Sequence, residues 1–212
     1  MSVMQGSLFN HPPSRVGGER VEHADHPDPN LWIFGFWIFL ASDLVLFASL
    51  FATYAVLHTH IANGPSARQI FDVTGFTAET LFLLTSSFTC GLATWSMRRG
   101  QQGWLKAWLV VTLIFGLLFI GFEVDEFATN SMKGYGMSTS AFLSAFYTLV
   151  GTHGCHVSLG ICWMVAILIQ VFRLGITEVT ARKVFVVSLY WHFLDVVWVF
   201  IFTVVYLTGV MG

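Results

Sequence analysis

Five long apolar segments separated by short polar stretches organise this chain. The first, 31–57, carries one formal charge, Asp43. The second runs over about 79–97, from Glu79 to the Arg98-Arg99 pair, and the third over about 104–122. Lys106 lies near one end of the third, where its aliphatic stem can snorkel to the interface. The fourth, about 138–170, holds His153 and His156 but no formal charge, and the fifth, 184–209, holds His192 and Asp195. A helix needs about 20 apolar residues to cross a bilayer, so the pattern predicts an all-α bundle of five transmembrane helices. They form one domain over 31–212, preceded by a polar tail, 1–30. Trp32, Trp104, Trp108, Tyr190 and Trp191 fall near span ends and suit an aromatic belt at the interfaces.

Composition agrees with this picture. The chain is 55% hydrophobic and 10% charged, against about 25% charged for a soluble domain. Its formal charge of −2 gives no sign of nucleic-acid binding. The tail has six charges and no apolar core, so it reads as neither signal peptide nor span. Its H-A-D-H-P-D-P stretch (23–29) has a metal-binding look, but a mobile tail is the favoured reading. Cys90, Cys155 and Cys162 all lie inside apolar spans and read as free buried thiols. Eight of the ten Lys and Arg residues lie in the tail, the 98–106 turn and the 171–183 loop. The positive-inside rule then puts the N-terminus in the cytoplasm, or an equivalent compartment, and the C-terminus outside. Small residues at four-residue spacing (Ser87 with Gly91; Gly154, Ser158 and Cys162) report close helix packing. No inverted pair of broken helices marks a secondary transporter.

The candidate chemistry lies in polar residues within the membrane. A central Asp costs roughly 2.5–3.5 kcal/mol on insertion scales, so each such residue is expected to face protein, headgroups or water. His153 and His156 share one face of the fourth span, and His192 and Asp195 one face of the fifth. With Asp43 they make five ionisable groups at comparable depth, expected to form a buried network. Hydrogen bonds from His153 and His156 to Asp43, Asp195 or backbone carbonyls are the favoured reading. Metal or haem ligation by the histidines, and proton carriage by Asp43, are the alternatives. Glu123, Asp125 and Glu126 cluster where the third span is expected to end; they could bind a cation or pair with a neighbouring chain, and Asp125 reads as solvated. His58 and His60 read as interfacial. A phosphate-binding Gly-rich loop, a C-x-x-C-H and a nucleophile elbow are all absent from the sequence.

Four segments carry a family resemblance. F-Y-T-L-V-G-T-H-G-C-H-V (146–157) and L-Y-W-H-F-L-D-V-V-W (189–198) resemble the two signatures of subunit III of haem-copper respiratory oxidases. F-W-I-F-L-A-S-D-L-V-L-F (36–47) is similar to the motif in which a buried carboxylate follows Ser, and F-E-V-D-E-F (122–127) puts Glu126 on the family's acidic position. Many cytochrome c oxidase members have two further N-terminal helices and Glu in place of Asp43. The five-helix form with Asp is closest to the cytochrome bo-type ubiquinol oxidases of bacteria, with cytochrome c oxidase as the alternative. The resemblance implies a non-catalytic subunit of the inner membrane with no cofactor of its own, the haems and copper residing in subunit I. It implies docking on subunit I near the proton-uptake side and binding of phospholipid, with another subunit completing the cleft that the two missing helices would bound. Asp43, Glu126, His153, His156, His192 and Asp195 are the matching polar positions, expected to serve inter-helix bonding and lipid or subunit contacts. A small membrane haem protein and a proton carrier are the readings from other classes.

Overall fold

The computed structural model describes residues 29–58, 73–137, 139–207 and 209. The tail with its His-Asp stretch, His60, Arg68 and the side chain of Trp32 lie outside the described residues. The described chain is helical: α1 (Pro29–Leu57), α2 (Val73–Arg98), α3 (Gln102–Met132), α4 (Ala141–Leu174) and α5 (Glu178–Ile201), the last running into a π-helical turn, Phe202–Leu207. Four stretches are long and apolar enough to cross a membrane: Ile33–Leu57, Gln102–Met132, Ala141–Leu174 and Glu178–Leu207. The exception, α2, is 26 residues long but holds nine Ser and Thr side chains, which lower its hydropathy.

Local chemistry sets the boundaries. Gly100, Gly134 and Gly175 have φ of 70°, 83° and 70°, a left-handed backbone that glycine adopts without a Cβ penalty. They stand just after α2, α3 and α4 respectively, and turn the chain back. Ser140 caps α4 by accepting the Leu143 N–H at 3.2 Å, and Thr177 caps α5 by accepting the Thr180 N–H at 3.1 Å. The Thr177 cap starts α5 six residues before the expected 184, so Tyr190 and Trp191 lie well inside the helix. Both are buried, which overturns their place in an interfacial belt. Trp104, by contrast, is exposed. Cys155 and Cys162 also depart from expectation: all three thiols are free, but these two sit on the outer surface and Cys90 alone is buried.

Helix α1 packs through a single stripe, Leu40, Asp43, Phe47 and Tyr54, and leaves Leu44, Val45 and Trp37 exposed. The centre of the bundle is α5. A Cβ on Gly116 of α3 would lie 2.9 Å from the Trp191 ring, and one on Gly160 of α4 3.1 Å. Trp191 thus slots between two glycines. Along its length α5 is hydrogen-bonded to α2. The Trp198 indole donates to Thr80 Oγ1 at 3.1 Å and the Trp191 indole to Ser86 Oγ at 3.0 Å. Further along, Ser87 Oγ meets His192 Nδ1 at 2.7 Å and Thr94 donates to Ser188 at 3.0 Å. The hydroxyls that make α2 the less apolar helix are the ones that tie it to α5.

Candidate functional site

The six predicted polar residues do not form one network; they fall into four places. On the α1–α4 contact, Asp43 is 7% exposed and its Oδ1 lies 3.7 Å from His156 Nε2. His156 Nδ1 lies 2.7 Å from the Thr152 carbonyl, one turn back on its own helix. The Tyr190 hydroxyl donates to the His156 carbonyl at 3.2 Å, linking α5 to the same spot.

His153, one turn from His156, is wholly buried, and neither ring nitrogen has a hydrogen-bond partner. It packs as an aromatic ring. Trp198 stacks on it with centroids 5.3 Å apart, and Phe119 meets it edge-on at 5.9 Å. The expected bond from His153 to a carboxylate or carbonyl is therefore replaced by an aromatic cage, because its face of α4 looks into the α3–α5 core.

His192 and Asp195 face α2. Ser87 bonds His192 and also lies beside the Asp195 carboxyl. Asp195 Oδ1 has no partner, and both α5 residues are partly exposed on the side of the bundle. They do not reach the α4 histidines.

The fourth place was only half visible in the sequence. The third helix does not stop at 122; it continues to Met132. Glu123 is 4% exposed, Glu126 is half-buried, and Asp125 points outward. Glu79 of α2 is also buried and lies within electrostatic reach of Glu123 and Glu126. The Tyr206 hydroxyl, in the π-helical turn, donates to Glu126 Oε2 at 3.2 Å. The Glu123 carboxyl occupies the space over Gly154, where a Cβ would lie 2.6 Å from its Oε2. Glu79 and Glu123 were missed as buried groups. The available signal was the stripe Leu105, Leu109, Thr112, Gly116, Phe119, which at steps of three and four runs on into Glu123.

Chemically, these groups can hold hydrogen bonds and protons between helices. Among the described residues, no three His, Cys, Asp or Glu side chains converge as a metal-ligand set.

The profile of the family described as cytochrome c oxidase subunit III matches residues 30–210. The chain is similar to quinol oxidase subunit 3 of Bacillus subtilis (strain 168), with 47% identity over 203 residues, covering 91% of this chain and 100% of that protein. It is similar to cytochrome bo(3) ubiquinol oxidase subunit 3 of Pseudomonas aeruginosa, with 48% identity over 194 residues and 92% of each chain covered. A probable quinol oxidase subunit 3 of Staphylococcus aureus (strain USA300) is 47% identical over 178 residues, covering 84% of this chain and 89% of that one.

Proposed function

Because the chain belongs to the cytochrome c oxidase subunit III family, we propose that it is the third, non-catalytic subunit of a haem-copper quinol oxidase of the bacterial inner membrane. The observation that carries this reading is the likeness, close to half the residues over nearly the whole length, to relatives named for quinol rather than cytochrome c. The complex it joins oxidises ubiquinol, reduces oxygen and moves protons in aerobic respiration, with the haems and copper held by subunit I. The part of this chain is to support assembly and sustained turnover. Its polar residues are spent between helices: Asp43 with His156, Ser87 with His192, Tyr206 with Glu126.

On this reading all five helices cross the membrane, within one domain over 31–212. The hydroxyls of α2 support its crossing: those of Thr80, Thr85, Thr89 and Thr94 bond carbonyls of their own helix, and Ser86, Ser87 and Thr94 also bond α5. The demand of these hydroxyls is thereby met without water. The positive-inside bias sets the 1–30 tail in the cytoplasm and the C-terminus in the periplasm.

Phospholipid has a suitable bed. A groove of about 920 Å³ between the start of α1, the end of α4 and the start of α5 is lined by Leu31, Phe36, Trp163 and Ile167. Arg182 and Lys183 stand at its rim, and Lys183 donates to Gln170 at 2.8 Å. Apolar walls under two cations suit acyl chains under an anionic headgroup.

The test is affinity purification of the tagged chain from native membranes in mild detergent, with visible spectra before and after the subunit is stripped away. A large haem-bearing chain that co-purifies and keeps every haem band after stripping is the expected result. Bands that follow this chain instead would make its histidines ligands and end the reading.

A further inference from the structure

We propose that the α2–α5 face bearing Asp195 is the surface on which a transmembrane helix of another subunit docks, and that this helix brings a hydrogen-bond donor to the Asp195 carboxyl. The inference rests on the reading of the chain as an oxidase subunit and specifies which face meets the partner.

Depth comes first. At 1.5 Å per residue, Asp195 lies about 18 Å from Leu207 and about 26 Å from Glu178 along the helix. That places it, with His192 and Ser87, well inside a hydrocarbon layer about 30 Å thick. A headgroup does not reach this depth, and acyl chains offer no hydrogen bond. Yet His192 and Asp195 are both partly exposed. A polar patch at mid-bilayer needs a polar cover, and in hydrocarbon that cover takes the form of a helix, whose own backbone is satisfied.

The surface is also shaped for one. A groove of about 300 Å³ runs along the seam from Arg98 past Thr94 and Ser188 to His192. Gly91 lies in it, and a Cβ there would meet nothing within 4 Å. Gly91 and Thr94, both partly exposed, form the kind of small-residue surface that lets two helices approach closely in lipid. The outer faces of α1 and α4, with Leu44, Val45 and Leu159 exposed, offer acyl chains an apolar surface instead. The least apolar helix of the bundle thus sits where protein, not lipid, covers it.

Gly91→Leu separates docking from folding. The added Cβ meets nothing of this chain within 4 Å, and Leu is the better helix former, so the bundle keeps its fold while the groove is filled. Gly121→Leu on α3 is the matched control, since Gly121 is exposed and equally open. The tagged full-length chain carrying each substitution is purified from native membranes in mild detergent, and the co-purifying haem is measured per mole of tagged chain. The expected result is a roughly tenfold loss for Gly91→Leu, as for one overpacked side chain, and none for Gly121→Leu. Wild-type levels of haem with Gly91→Leu overturn the docking face and leave the subunit reading intact. Absence of any haem-bearing partner with the wild-type chain overturns the subunit reading itself. A photoreactive diazirine residue at Phe185, which lines the groove, gives a second readout in the unblocked complex. An adduct with another subunit from Phe185 and none from Leu159 supports the proposal; an adduct with lipid from Phe185 overturns it.

Discussion

His156 sets Nε2 3.7 Å from the Asp43 carboxylate while its Nδ1 lies 2.7 Å from the Thr152 carbonyl. A carbonyl can only accept, so Nδ1 carries a hydrogen. Nε2 is then the nitrogen turned toward Asp43, at ion-pair rather than hydrogen-bond distance. The contact joins α1 to α4 inside the bundle, and removing one side chain takes it from the other.

That arrangement makes the pair non-additive. Asp43→Leu and His156→Leu should each destabilise the bundle, and the double variant should lose less than the sum. A coupling of about 0.6–1.7 kcal/mol is expected, the range found for polar contacts between membrane helices. A double-mutant cycle on the detergent unfolding of the purified complex measures it. Additive losses would mean that the two side chains do not interact.

His153 should behave differently although it is one turn away. With no hydrogen bond to lose and a cage of Phe47, Phe119 and Trp198, His153→Phe removes an unsatisfied polar ring and keeps the aromatic shape. The expected cost is below about 1.5 kcal/mol, and smaller than that of His156→Phe, which strands Asp43. Thermal unfolding of the two variants side by side decides it, and a larger loss at His153 would reveal a bond to its ring.

The contrast between the two histidines shows what the sequence held and what it did not. Apolar runs located every helix among the described residues, since a 3.6-residue repeat in an apolar run permits little else in lipid. The i,i+3 spacing put both histidines near one another on α4, but a difference of three residues is still a rotation of about 60° about the axis. That angle turns His156 toward Asp43 and His153 toward the rings of Phe119 and Trp198, and the rotation of α4 is set by packing that no single segment encodes. Glu123 was lost for a related reason. A cluster of acids after an apolar run reads as a helix end, whereas α3 continues and turns Glu123 inward while Asp125 faces out. The start of α5 was misplaced because Arg182 and Lys183 look like loop residues. The Thr177 cap and their long stems at the helix start accommodate them.

Glu123 also makes Gly154 indispensable. An added methyl at 154 would lie 2.6 Å from Glu123 Oε2 and 2.8 Å from its Cδ, and the carboxyl is buried between α3 and α4. Gly154→Ala should therefore destabilise by about 1–3 kcal/mol, as overpacking does. Adding Glu123→Asp, which draws the carboxyl back by one methylene, should recover part of that loss. Unfolding of both variants measures it; a double variant no better than Gly154→Ala alone would place the clash elsewhere.

Asp195→Leu gives the sharpest division between the chain and its complex. Within this chain Ser87 keeps His192 as a partner at 2.7 Å, so loss of the carboxyl leaves no hydroxyl stranded. Replacing a polar group whose neighbours stay satisfied can be nearly neutral. The isolated bundle should accordingly unfold within about 1 kcal/mol of the wild type. The assembled oxidase should not be so tolerant, because the docking helix would then bury its own donor against a leucine, at about 1–3 kcal/mol for an unsatisfied group. Yield of the intact complex should drop several-fold while the haem spectrum of what does assemble stays unchanged. Normal yield with shifted haem bands would mean that Asp195 acts on the haem environment and not on assembly.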